Sequence, residues 1–219
     1  MKILNFFLLL FFLTIHQPSY LKADDFDDWV TKFKKRALDQ NISLTTVNNV
    51  MDKAIFLQKV IEYDRYQPEF YEDTSTYINK RVNKDKIQKG LDVYNNNNLL
   101  IREVEKKFSV EKELLLALMG IETNYGKYLG KMDIVSSLAT LSYDKRRRDF
   151  FSSQLLILIK LVDDKLIDPK TLYGSWAGAF GNFQFMPSTI KNYAIDYDGN
   201  DKISAENFSL FGKLNPYET

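Results

Sequence analysis

The chain has 219 residues, 45% of them hydrophobic and 27% charged, with a net charge of +1. That size and balance suit one soluble globular domain with a sizeable core and exclude broad electrostatic capture of nucleic acid. There is no Cys, which excludes disulfides, thiolate catalysis and lipid attachment through an N-terminal Cys.

Residues 1–23 read as a signal peptide. Lys2 supplies a positive start, residues 3–15 are almost wholly apolar but too short to span a bilayer, and Ala23 precedes the acidic pair Asp24 and Asp25. Cleavage there leaves residues 24–219 as one exported, periplasmic domain, expected to be monomeric, without a lipid anchor or a stable membrane span. An uncleaved anchor is the alternative.

Residues 26–38 carry Phe26, Trp29, Val30, Phe33 and Leu38 at helical period. Ser43 is a candidate cap for a second helix through Val47, Val50, Met51 and Ile55. Residues 56–66 form a third, stopped by Pro68, and residues 68–77 read as an extended surface loop. Residues 84–108 read as helix, weakened at Asn95 to Asn98. Then comes EKELLLALMGIETNYG, 111–126, a helix so apolar that it is expected inside a core, with Gly126 as its left-handed cap. Glu122 lies near its end, on the face of Leu115, Leu118 and Met119. Apolar neighbours and the negative helix end should both raise its pKa, as a general acid needs. A half-exposed Glu paired with an Arg is the plain alternative.

Residues 134–141 predict a short helix of small residues, 143–148 a basic loop and 150–161 a strongly apolar helix. In GSWAGAFGNFQFMP, 174–187, three glycines alternate with aromatics. That pattern makes a backbone wall for a ligand or an ordinary buried turn. Ser188 is a candidate cap for a helix through Ile190, Tyr193 and Ile195. The fold class is mainly α, with little sheet.

Four stretches, GIETNYG (120–126), LATLSY (138–143), RRRDFFS (146–152) and GSWAGAFGNFQFMPSTIKNYAIDYDG (174–199), resemble in order and spacing the lytic murein transglycosylases of the B type, glycoside hydrolase family 103. The resemblance covers roughly residues 70–200 and implies a lysozyme-like helical catalytic core acting on peptidoglycan glycan strands. It implies that Glu122 is the single catalytic acid. Ser175 and Gln184 would be polar cleft groups, Phe185 and Met186 apolar wall, Tyr77 a cleft tyrosine, and Arg146 with Arg147 a pair that contacts substrate. Phe150 replaces a family tyrosine. The implied reaction cuts between N-acetylmuramic acid and N-acetylglucosamine and leaves a 1,6-anhydro sugar.

Residues 196–203 resemble the first half of a calcium loop, with Asp196, Asp198 and Asn200 at ligand positions. Asp201 replaces the usual glycine and Asn207 the bidentate acid, so the expectation is weak Ca2+ or a solvated acidic turn, and no required cofactor. The resemblance fades after Ile203. This predicts a C-terminally shortened domain whose helices at 111–122 and 150–161 expose apolar surface. Two other functions stay open: a wall-binding relative without turnover, and a lysozyme-type hydrolase using Asp133 or Asp144 as base.

Overall fold

The computed structural model describes residues 23–66 and 72–195. Residues 1–22 of the expected signal segment and the candidate calcium positions Asp196, Asp198 and Asn200 lie outside them. Ten α-helices and one two-stranded ribbon make up the described fold.

Helix α1 (Ala23–Leu38) buries Phe26, Phe33 and Ala37. Helix α2 (Leu44–Met51) begins at Ser43, whose Oγ accepts the Thr46 N–H and donates to Asp163 at 2.6 Å. It ends at Met51, one turn short of Ile55. Helix α3 (Gln58–Arg65) follows. Residues expected as loop instead form α4 (Thr74–Arg81), capped by Asp73. None of its residues is buried, so it carries no apolar period to read. The next helical stretch divides into α5 (Lys84–Asn96) and α6 (Asn98–Phe108). The break is at Asn97, whose N–H bonds the carbonyls of Val93 and Tyr94.

Helix α7 (Lys112–Thr123) is less enclosed than its composition predicts. It buries Leu115, Met119, Gly120 and Thr123, while Leu114 and Ile121 are 61% and 49% exposed. Its cap is Asn124, φ 52°, and not Gly126. Tyr125 and Gly126 follow at φ 61° and 81°, a left-handed run that is rare outside glycine.

The helix at the centre is α8 (Ile134–Tyr143), all ten of whose residues are buried. Its small side chains let α9 (Arg148–Asp163), α1 and α3 pack against it. Ser136 Oγ accepts the Ile55 N–H at 3.1 Å, and Thr140 Oγ1 accepts the Leu57 N–H at 3.0 Å. The hydroxyls of this helix thus satisfy the backbone of the α2–α3 connection, which could not otherwise be packed there without penalty. Helix α9 buries Leu155, Leu158, Ile159 and Leu161, each worth about 1.5–3 kcal/mol. Of its apolar residues Phe150 stays out, at 49% exposure, so the expected bare face on α9 is largely covered.

Strand β1 (Met132–Asp133) pairs antiparallel with β2 (Tyr173–Gly174), Asp133 opposite Tyr173. Helix α10 (Pro187–Tyr193) has Met186 as its cap, with Pro187 in its first turn, where a missing N–H costs nothing. Ser188, expected as the cap, gives its N–H to Gln154 Oε1 at 2.9 Å.

Two apolar clusters result. The larger spans α1–α3 and α8–α10. The smaller holds Val104, Leu115, Met119 and Phe183, with Tyr125 at its edge. Phe185 packs against both.

Candidate active site

Glu122 stands in the last turn of α7 at a concavity of about 380 Å3 that Asn83, Asp85, Lys86 and Lys89 of the α5 region and Tyr128 also line. The residue is exposed, yet burial raises its carboxyl pKa above the ordinary 4.5. The two facts agree in a concave site: the carboxyl touches solvent within the hollow, while protein on several sides displaces the bulk water that would stabilise its charge. The negative end of α7 acts in the same direction.

The backbone around the acid is held from both sides. Thr123 is 1% exposed, and its hydroxyl lies 2.8 Å from the Asn182 carbonyl and 3.2 Å from that of Met119. It also accepts the Gly126 N–H at 2.9 Å. That residue ties the end of α7 to the glycine-rich segment. Behind it the Tyr125 ring fills the gap between α5 and α7. A Cβ at Gly90 would lie 2.5 Å from the Tyr125 hydroxyl, and one at Gly120 2.7 Å from it. Both positions therefore need the room that glycine leaves. Burial pushes the Tyr125 phenol up.

The glycine-rich segment is a close-packed turn more than a wall open to a ligand. A Cβ on Gly178, φ 86°, would meet Leu138 of α8 at 2.4 Å. Within this turn the Ser175 Oγ accepts the Ala179 N–H at 3.0 Å. Gln184, φ 48°, donates its side-chain NH2 to the carbonyls of Leu129 and Gly181 at 3.1 and 2.9 Å. Its Oε1 remains an acceptor. Phe185 stacks on Phe183 with ring centroids 5.8 Å apart, and Met186 packs on the larger core. The Thr123–Asn182 bond brings this segment to the acid's helix. Ser175, Gln184, Phe185 and Met186 are nonetheless not among the residues that line the concavity at Glu122.

Tyr77 is on α4, half-buried, with the Arg81 guanidinium 3.7 Å above its ring. It too lies off that concavity. Arg146 and Arg147 bind Asp64, a carboxylate only 1% exposed, and Arg65 joins them. Their side chains stay 45% and 39% exposed, so each keeps a face toward solvent. Of the two alternative bases, Asp133 caps α8 through the Ser136 N–H, and Asp144 takes two bonds from Arg65. Both have structural work. Among the described residues no group of three His, Cys, Asp or Glu could hold a metal, and no helix is long and apolar enough to cross a membrane.

Sequence reasoning missed Thr123, Tyr125, Asp85 and Asp64. Thr123 and Tyr125 sit in GIETNYG itself, and a hydroxyl on the buried side of an apolar helix end was the available signal. Asp64 gave none, since Arg146 and Arg147 are more than eighty residues away.

The Transglycosylase SLT domain family profile matches residues 25–207. Membrane-bound lytic murein transglycosylase B of Escherichia coli (strain K12) is 36% identical over 129 residues, which is 58% of this chain and 36% of that protein. The crystal structure of SltB3 from Pseudomonas aeruginosa in complex with NAG-NAM-pentapeptide superposes with a TM-score of 0.80 at 30% identity, over 87% of this chain and 50% of that one. The Escherichia coli lytic transglycosylase Slt35 in complex with bulgecin A gives 0.74 at 28% identity, over 85% and 60%. The chain thus spans between about a third and three fifths of the length of these relatives.

Proposed function

The chain belongs to the Transglycosylase SLT domain family, on its lytic murein transglycosylase B branch, and from that premise we propose that it cleaves the β-1,4 bond between N-acetylmuramic acid and N-acetylglucosamine in peptidoglycan, in the periplasm. The observation that carries this reading is Glu122: a carboxyl with a raised pKa, at a concavity, on a helix end fixed by Thr123 and Tyr125.

Glu122 enters protonated and donates to the glycosidic oxygen. The substrate's own acetamido group stabilises the cationic intermediate. The carboxylate then takes the proton of the muramoyl 6-hydroxyl as that oxygen attacks the anomeric carbon, which gives the 1,6-anhydro product and restores the acid. Intramolecular attack supplies the proximity advantage that a water molecule lacks. Within the concavity Asn83, Lys86 and Lys89 are polar groups available to acetamido or ring substituents; Gln184 Oε1 and the Ser175 O–H, which lie off it, would serve a strand that runs on past it. A weak Ca2+ site at Asp196, Asp198 and Asn200 rests on the spacing of hard oxygen donors alone.

Asp85 supports a second reading. It lines the same concavity from the first turn of α5, exposed, where a base could activate water in a hydrolase. Mass spectrometry of purified sacculi digested by the chain separates the two. Anhydro-muramoyl ends are expected, Glu122→Gln should lower turnover at least about a hundredfold, and Asp85→Asn should leave the product unchanged. Reducing ends that vanish in Asp85→Asn would establish the hydrolase instead.

A further inference from the structure

A second concavity, of about 530 Å3, shares no lining residue with the one at Glu122. The end of α2, the start of α8 and the segment entering β2 enclose it. Its formal charges cancel, Asp52 and Asp133 against Lys53 and Lys170. Both carboxylates are already engaged, Asp52 with Lys34 and Asp133 with the Ser136 N–H.

Beside these charges the concavity offers neutral recognition chemistry. Tyr173 presents a ring that is 56% exposed. Asn48 has its carbonyl oxygen on Lys34 Nζ at 3.2 Å, which leaves its NH2 to donate. Asn49 beside it is exposed. The backbone that carries the ring is fixed by the Asp133–Tyr173 register and by the Ile134 N–H bonded to the Leu172 carbonyl at 3.1 Å. An aromatic face with adjoining carboxamides on a rigid frame matches a pyranose, whose C–H face is apolar and whose rim carries hydroxyl and acetamido groups.

We propose that this concavity is a non-catalytic saccharide site that takes an N-acetylhexosamine unit of a β-1,4 strand. That the strand is the one cut at Glu122 rests on the function proposed above; the site itself does not. A second hold on a polymer raises the local concentration of scissile bonds without touching the chemistry.

The test uses the full chain as Glu122→Gln, isotope-labelled and titrated with a tetramer of β-1,4-linked N-acetylglucosamine, so that binding is read without turnover. Amide shifts at residues 48–53 and 170–173 should saturate independently of those near Glu122. Tyr173→Ala and Asn49→Ala should each weaken that saturation about tenfold, while Tyr173→Phe keeps it. Both residues are exposed and Tyr173 pairs through its backbone, so the variants keep the fold. In the active chain Tyr173→Ala should leave turnover of a short soluble glycan unchanged and lower sacculus binding about tenfold. The proposal is overturned if the tetramer leaves this region unshifted at millimolar concentration, if the murein pentapeptide alone shifts it instead, or if Tyr173→Ala leaves the titration unaltered.

Discussion

Glu122 stands out in the sequence as the candidate acid, and its electrostatics follow from its surroundings. Burial raises its pKa, so the folded chain holds that proton more tightly than the unfolded chain does. Stability then falls as pH rises from the unfolded value through the raised one, because the desolvated carboxyl resists ionisation in the folded chain. Glu122→Gln removes the charge. The variant should therefore melt above the parent at pH 7, with the gap closing as pH falls to the ordinary 4.5 and below, as melting curves across pH would show. A variant that melts lower at pH 7 would mean that an unseen partner stabilises the carboxylate. Turnover should fall in the same direction, as pH rises through that pKa, because the donated proton is lost. The roles of Ser175 and Gln184 were less legible. Their side chains close local turns, with φ 48° at Gln184, and Gln184 is also tied to the Leu129 carbonyl, 55 residues away, a partner no local pattern announces.

At the scale of elements, hydropathy misjudged which helix is central. The leucine-rich α7 leaves Leu114 and Ile121 in solvent, whereas α8, with its serines and threonine, is buried throughout. Composition reports how much apolar surface a helix offers, and small residues report how closely others can approach it. The second property decided the centre. The α5–α6 break was readable because Asn prefers to leave a helix, and α4 was unreadable because it buries nothing. The weight of the α8 hydroxyls can be measured. Thr140→Val keeps the shape but strands the Leu57 N–H, and should cost about 1–3 kcal/mol in chemical denaturation. Ser142→Ala is the control: that buried hydroxyl has no partner among the described residues, and its loss should cost far less. Equal losses would remove the hydrogen bond from the account.

At the scale of the whole molecule, Asp64 fastens α3 to the turn between α8 and α9 through Arg146 and Arg147. Replacing both arginines with Ala leaves a buried carboxylate with Arg65 alone and should cost about 3 kcal/mol. A pair that serves substrate alone would raise KM and leave the melting temperature where it was. The larger assembly has a further property. Glu122 belongs with the smaller apolar cluster, which holds four buried residues among those described and meets the main core at Phe185. Contact this sparse is where partial opening begins. Amide protons of α5–α7 should exchange with deuterium faster than those of α8 and α9, which open only with the global transition. The acid would then come adrift while most of the helical protein is intact. On warming, turnover should fade below the midpoint of the circular dichroism transition and return on cooling, so that inactivation precedes denaturation.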